Sequence, residues 1–220
     1  MSPSTATAAR RAPARSLAAA RRRVVLRRRR RSLLALAAVG LLAVVVIAVM
    51  PLARKAVSEF GLPLQYQDVI RQQADAKQLD PALIAAVIYA ETKFDPSTSS
   101  AGAEGLMQIL PQTATFLAHR SGATAFTTAD LATPRVNIAY GSYYLRYLLD
   151  EYHGSRLLAL AAYNGGEANV NHWLAAAHAD GSRFGVRDIP FPETRAYVAR
   201  VLQARRDYRR AYASQLGYAP

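Results

Sequence analysis

Three features of the 220-residue chain predict an all-α fold preceded by one apolar N-terminal segment. From residue 65 onward apolar residues recur with helical period, and the alternating pattern of half-buried strands is nearly absent. Helix start and stop signals punctuate that region, Asp80-Pro81 and Gly154 most clearly. Ahead of it, residues 32–53 form a run of 22 uncharged, mostly apolar residues. As a helix rising about 1.5 Å per residue, such a run crosses a hydrocarbon layer of roughly 30 Å.

Residues 1–31 hold eleven arginines and no acid: Arg10, Arg11, Arg15, Arg21 to Arg23 and Arg27 to Arg31. The whole chain has 28 Lys and Arg against 15 Asp and Glu, a formal charge of +13, so residues 32–220 keep 17 basic and 15 acidic residues and are nearly neutral. Only Arg54 and Lys55 closely follow the apolar run. The positive-inside rule therefore predicts a transmembrane helix at 32–53 with 1–31 in the cytoplasm and the remainder outside the cytoplasmic membrane. A cleaved signal peptide has the same polarity, but its apolar region is shorter and ends in a small-x-small site, which Met50-Pro51-Leu52-Ala53-Arg54-Lys55 does not offer. A buried helix of a soluble core would leave the arginines nowhere to pack. The arginine run reads as a topology determinant, and no nucleic-acid partner is expected.

Residues 54–64, with Gly61 and Pro63, read as a linker to a domain at 65–215. A helix at 65–77 places Tyr66, Val69 and Ile70 on one side. The next starts at Asp80-Pro81, an N-cap residue followed by proline in the first turn, and runs to about Thr92. Pro96, glycines and hydroxyl residues make 94–105 a loop, and a helix following Pro111 carries 113–119. A long helix at 135–152 aligns Ile138, Gly141, Leu145 and Leu148, and Gly154 stops it. Helices at 155–162, 167–177 and 193–213 complete the cluster.

A hydrophobic content of 51% excludes a disordered polyelectrolyte. The absence of cysteine excludes disulfide scaffolds, Cys-ligated zinc, iron-sulfur clusters and thiol nucleophiles. His119, His153, His172 and His178 show no metal-binding spacing, so neither metal nor cofactor is expected.

Ile84, Val87, Ile88 and Glu91 stand at i, i+3, i+4 and i+7, which sets a carboxylate on an apolar stripe. Desolvation there raises its pKa and suits it to donate a proton near neutral pH. Helix geometry leaves a second course open, in which the helix ends near Glu91 and the side chain swings into solvent.

From Glu91 the chain reads E-T-K-F-D-P, then Ser99, Gly102, Ala103, Gly105, Leu106, Met107 and Gln108, then Pro111, Thr113 and Ala114. This resembles the signature of the lytic transglycosylases with a goose-lysozyme-like catalytic domain, E-S-x-F-x-P followed by S-x-x-G-A-x-G-L-M-Q and P-x-T-A. Asn137-Ile138 with Gly141, Tyr144 and Leu145 is similar to the family's next helix, Ala161-Ala162-Tyr163-Asn164-Gly165-Gly166 to its A-Y-N-A-G segment, and Pro192-Glu193-Thr194-Arg195 with Tyr197-Val198 to its last block. The resemblance spans 65–202 in the family's order. Thr92 replaces the usual Ser and keeps the hydroxyl, while Gly165 replaces Ala and is expected to loosen its turn. The stretch between Pro96 and Gly102 is one residue short: Ser99 keeps the spacing to Gly102 and Ser100 the spacing to Glu91.

The resemblance implies a lysozyme-like cluster of short helices that cleaves the β-1,4 bond between N-acetylmuramic acid and N-acetylglucosamine in peptidoglycan. It makes Glu91 the sole catalytic carboxylate and peptidoglycan glycan strands the partner. Ser99, Gln108, Tyr163 and Asn164 become candidates for binding sugar or orienting Glu91. Met107 and Tyr197 line the groove or pack in the core, and Glu193 helps to hold the site or serves as a charge at a helix N-terminus. Asp95, Glu104 and Glu167 are better explained by turn and helix-start roles than as a second catalytic carboxylate.

Overall fold

The computed structural model describes residues 40, 44–47, 49–50, 61–179 and 181–219. The chain divides into two units, Met1–Arg54 and Lys55–Pro220. In the first, residues 40, 44–47 and 49–50 are helical and the side chains of Val44, Val45, Val46, Ile47, Val49 and Met50 are exposed. The expectations for the arginine segment 1–31 and for most of 32–53 and 54–64 lie outside the described residues. Among the described residues no helix is long and apolar enough to cross a membrane.

The second unit is all-α apart from one two-residue ribbon. Its elements are α1 (Gln67–Lys77), α2 (Pro81–Thr92), β1 (Ser97–Thr98), β2 (Glu104–Gly105), α3 (Pro111–Ser121), α4 (Pro134–Glu151), α5 (Arg156–Gly165), α6 (Glu167–Ala179) and α7 (Pro192–Ala211). Short 3-10 turns at Thr128–Ala132 and Val186–Asp188 link α3 to α4 and α6 to α7.

The centre of this unit is α2. Ala82 to Ile88 are seven consecutive buried residues, so the helix is enclosed on every side, and the expected apolar stripe is only part of its buried surface. Asp80 caps it by accepting from the Ala82 N–H at 3.0 Å, and also takes hydrogen bonds from Arg205 of α7 and the Tyr218 hydroxyl. One carboxylate thus starts the central helix and ties it to the last helix and the tail. Packing extends beyond the first and last helices of this unit. Tyr208 and Tyr212 donate to the Pro63 and Leu62 carbonyls at 2.6 and 2.7 Å, and Leu216 is buried.

α4 buries the expected Ile138, Gly141, Leu145 and Leu148 and adds Asn137 and Ser142. β1 and β2 pair antiparallel, Ser97 with Gly105 and Thr98 with Glu104, within the segment expected to be a loop. Two residues per strand are too few for a periodic pattern to register. The turn at Thr128–Ala132 is a capping box, in which the Thr127 N–H donates to Asp130 Oδ2 at 2.8 Å. That T-x-x-D spacing is present in the sequence and marks a single turn, not a helix.

Gly141 allows the close approach of α4 to the segment after β2: a Cβ added there would lie 2.4 Å from Met107 Sδ and 2.7 Å from Met107 Cβ. Gly141→Ala is therefore expected to destabilise the fold by about 1–3 kcal/mol, measured by urea denaturation; an unchanged midpoint would contradict this packing.

Candidate active site

Glu91 occupies the last turn of α2, and the way that helix ends determines where its carboxylate points. Lys93 and Phe94, both non-glycine, take left-handed conformations with φ of 53° and 67°. Their tertiary contacts support that turn. The Phe94 ring is buried against Tyr208 at 6.2 Å, and Thr92 Oγ1 donates to the Leu106 carbonyl at 2.8 Å. The chain therefore reverses immediately after Glu91, and the side chain stays half-buried at the helix end.

The ribbon that follows is assembled by side chains from its own length and from α4. Ser99 Oγ accepts from the Ala103 N–H at 3.0 Å, and Gln108 Nε2 donates to the Ser97 and Gly105 carbonyls at 2.8 and 2.9 Å. Asn137, wholly buried, accepts from the Met107 N–H at 2.8 Å and donates to the Glu104 and Leu131 carbonyls at 2.8 and 3.0 Å. Gly105 has φ 71°, and a Cβ there would lie 2.4 Å from Asn137 Nδ2, so its missing side chain makes room for this staple. Met107 is 0% exposed, and its side chain packs in the core. Its carbonyl receives the Tyr163 hydroxyl of α5 at 2.8 Å.

Glu91, Tyr163 and Tyr197 come together from α2, α5 and α7. Burial pushes the Glu91 carboxyl from the ordinary 4.5 up to about 7, against opposition from the Tyr197 hydroxyl and the Arg200 charge. Burial, and then the charge of Glu91, hold the Tyr163 and Tyr197 hydroxyls well above 10. The Tyr197 hydroxyl faces Glu91, and among the described residues no group completes a full hydrogen bond with it. Arg200, three residues along α7, lies 5.9 Å from the Tyr197 ring centroid.

Asn164 and Glu193 are exposed and line a cavity of about 350 Å³ between the end of α5 and the start of α7. Gly165 lies in the same wall, and an added Cβ would come 3.1 Å from Thr194 Oγ1. A methyl group at that position would press on Thr194, and the departure from Ala relieves this contact. Ser99 and Gln108 spend their side chains within the ribbon.

Among the described residues no second carboxylate acts on Glu91. Asp95 is exposed in the turn after α2, Glu104 Oε2 accepts from Thr98 Oγ1 at 2.9 Å, and Glu167 Oε1 accepts from the Tyr147 hydroxyl at 3.0 Å. The four histidines are exposed, and among the described residues no group of His, Asp or Glu is placed to hold a metal ion. Asn137 and Arg200 were missed as site residues. Asn137 is a polar residue on an apolar helix face, the same signal that singled out Glu91, and Arg200 is one helical turn from Tyr197.

The chain has relatives among known proteins. Residues 68–183 match the family model described as Transglycosylase SLT domain. The chain is 35% identical over 148 residues to the soluble lytic murein transglycosylase of Escherichia coli, covering 66% of this chain and 23% of that protein. Over 116 residues it is 34% identical to the membrane-bound lytic murein transglycosylase C of Actinobacillus pleuropneumoniae, covering 48% of this chain and 32% of that one. Among solved structures, an inactive glutamate-to-glutamine mutant of the lytic transglycosylase Slt from Pseudomonas aeruginosa aligns with TM-score 0.65 at 31% identity, over 71% of this chain and 26% of that one. The 70-kDa soluble lytic transglycosylase of Escherichia coli aligns with TM-score 0.63 at 32% identity, over 69% and 25%. The chain thus spans about a quarter of the length of these soluble relatives.

The buried carboxyl should register in stability. Its folded pKa, about 7, lies above the ordinary 4.5, so as pH rises the unfolded chain ionises first and folding loses stability between those values, with the full loss above 7. Glu91→Gln is expected to be no more stable than the parent near pH 4 and more stable by roughly 2–3 kcal/mol near pH 8. Denaturation curves at both pH values measure this, and an equal effect at both would exclude a raised pKa.

Proposed function

The chain belongs to the transglycosylase SLT domain family, and on that premise we propose that it is a lytic transglycosylase cleaving the β-1,4 bond between N-acetylmuramic acid and N-acetylglucosamine in peptidoglycan. Its catalytic domain is the family's lysozyme-like cluster of helices. The observation that carries the reading is Glu91, a half-buried carboxyl with a pKa of about 7 and no second carboxylate acting on it. Glycosidases that hydrolyse through two carboxylates need the second as nucleophile or to activate water.

One group suffices when the substrate supplies the nucleophile. Neutral Glu91 donates its proton to the glycosidic oxygen, which leaves as the 4-hydroxyl of N-acetylglucosamine while positive charge develops at the muramyl C1. The resulting carboxylate removes the proton of the muramyl 6-hydroxyl, whose oxygen closes on C1. The product is a 1,6-anhydromuramyl end, Glu91 is again protonated, and no water is consumed. The attacking hydroxyl belongs to the sugar that is cleaved, so its effective concentration is that of an intramolecular group.

The Tyr197 O–H, buried and unsatisfied, donates to the Glu91 carboxylate once the proton has left, and Arg200 stabilises the same charged form. Tyr163 is held by the Met107 carbonyl beside the carboxylate and bounds the space for the muramyl residue. Asn164 and Glu193 meet the sugar from the cavity between α5 and α7, while Ser99 and Gln108 hold the ribbon and the Met107 carbonyl holds Tyr163. The requirement for one glutamate accords with the inactive mutant of the Pseudomonas aeruginosa relative.

The N-terminal organisation belongs to the same proposal. Residues 32–53 anchor the protein in the cytoplasmic membrane, 1–31 remain in the cytoplasm, and 54–64 join the anchor to a catalytic domain on the outer side at 65–215. The eleven arginines ahead of an uncharged run support that orientation.

Digestion of purified sacculi, with the muropeptides weighed, is the direct test. Anhydro ends, lighter than reducing ends by one water, are expected. Reducing ends alone would make the protein a muramidase, and the absence of cleavage with retained binding would make it an idle binding module. Glu91→Gln should abolish cleavage and preserve folding and sacculus binding. The kcat/KM of the parent should fall as pH rises through about 7, since the free enzyme needs the protonated acid. Arg200→Gln removes a charge that lowers the Glu91 pKa, so it should move that falling limb to higher pH; a move to lower pH would remove Arg200 from the site.

A further inference from the structure

Positive charge is concentrated in the last stretch of the helical unit. Residues 56–199 carry 10 basic and 14 acidic residues, whereas residues 200–219 carry five arginines and one acid, Asp207. Two of the five are engaged: Arg200 acts on Glu91, and Arg205 pairs with Asp80. Arg206, Arg209 and Arg210 are exposed near the end of α7, and among the described residues none of them pairs with a carboxylate. Their spacing of three and four residues sets them on one face of the helix. Arg206 donates to Gln203, and the Arg209 guanidinium lies 4.7 Å from the Tyr218 ring centroid. Asp207 accepts from Gln203 Nε2 at 3.0 and 3.1 Å, and Asp80, which accepts from the Tyr218 hydroxyl, is matched by Arg205. Even with Asp207 counted, the face keeps a surplus of positive charge. Cations in a last turn offset the helix dipole, which accounts for Arg209 and Arg210 but not for Arg206.

The chain enters the domain beside this face. The Tyr208 and Tyr212 hydroxyls hold the Pro63 and Leu62 carbonyls, and Arg71 of α1 donates to the Gln215 carbonyl of the tail at 3.2 Å. Eight residues, 54–61, separate that point from the apolar run. Fully extended they span no more than roughly 30 Å. A tether this short gives the face a high effective concentration at whatever surface holds the apolar run, so contacts too weak to retain a free protein become populated. The face is also far from the catalytic carboxyl. α7 runs antiparallel along α2, with Arg205 at Asp80 and Arg200 acting on Glu91. Glu91 stands eleven residues after Asp80, about 16 Å along the helix axis.

We propose that Arg206, Arg209 and Arg210 form a docking face for the anionic headgroups of the membrane that anchors the chain. Docked through it, the domain stands on the Asp80 end of α2 and carries Glu91 at the far end, directed away from the lipid. The inference rests on the membrane-anchor reading and adds to it a fixed orientation of the domain.

The chain has no cysteine, so Ser214→Cys, exposed just past α7, takes a single fluorophore. The labelled full chain is reconstituted into vesicles of phosphatidylcholine alone and of phosphatidylcholine with phosphatidylglycerol, each containing a lipid with a quencher on its headgroup. Stronger quenching is expected in the anionic vesicles, and it should fall toward the neutral value as salt is raised. An arginine near such a surface favours docking about five-fold, so Arg206→Gln, Arg209→Gln and Arg210→Gln combined should lower the docked-to-undocked ratio on the order of a hundred-fold. The readout is local to the tail, so the arginines of residues 1–31 do not contribute to it. The lipid and salt comparisons keep all three arginines and decide the question even if the triple variant folds poorly. Equal quenching in both vesicles, or anionic quenching that neither salt nor the folded triple variant reduces, would overturn the face. Retention in both vesicles after alkaline extraction separately tests the anchor, so a failure of anchoring is distinguishable from a failure of docking.

Discussion

The desolvation of one carboxyl group at the end of α2 is the constraint to which the rest of the domain answers. An unpaired carboxylate out of water is costly, and the group lessens that cost by holding its proton up to about pH 7. Its environment exists because α2 is enclosed on all sides. Asp80 anchors the start of that helix to α7 and the C-terminal tail, and the left-handed turn at Lys93 and Phe94 ends it directly after Glu91. Two consecutive non-glycine residues in that region each carry a conformational cost of about 1–3 kcal/mol, offset here by burial of Phe94 and the Thr92 hydrogen bond to Leu106.

Rigidity passes from the core to the site through main-chain groups. Asn137 holds Met107, Glu104 and Leu131, and Gly141 and Gly105 supply the close approaches that bring these segments together. The Met107 carbonyl then fixes the Tyr163 hydroxyl. Residues from four separate stretches are placed around Glu91 without a disulfide, by packing and a few fully used polar side chains. Electrostatics refines this placement. Arg200 and Tyr197 favour the charged carboxylate, burial favours the neutral one, and their balance sets a pKa of about 7, suited to both giving up and taking back a proton.

Much of the fold was legible because helices report themselves locally. The cap at Asp80, prolines 81 and 111 in first turns, and the stop at Gly154 place helix ends within a few residues. The ribbon and the 3-10 turns escaped because they are too short for periodicity. Within the site, Glu91 was legible as a charge on an apolar face, although the enclosure of α2 owes more to its all-round apolarity than to a stripe. Asn137 carried the same kind of signal and was missed. Arg200 was not legible, because its action on Glu91 depends on how α7 lies against α2.

The sequence by itself determined the helical class, the isolation of positive charge in the first 31 residues, the uncharged run after it, and Glu91 as the exceptional carboxyl. Periodicity, capping and charge are properties of neighbouring residues, so they survive without the fold. Only the tertiary structure decided that Glu91 stays half-buried instead of swinging into solvent, that Tyr163 and Tyr197 flank it, and that Gly105 serves Asn137. It also placed the Met107 side chain in the core while directing its carbonyl to the site. These outcomes depend on which surfaces of distant segments meet and how much water they exclude, and no local pattern encodes that.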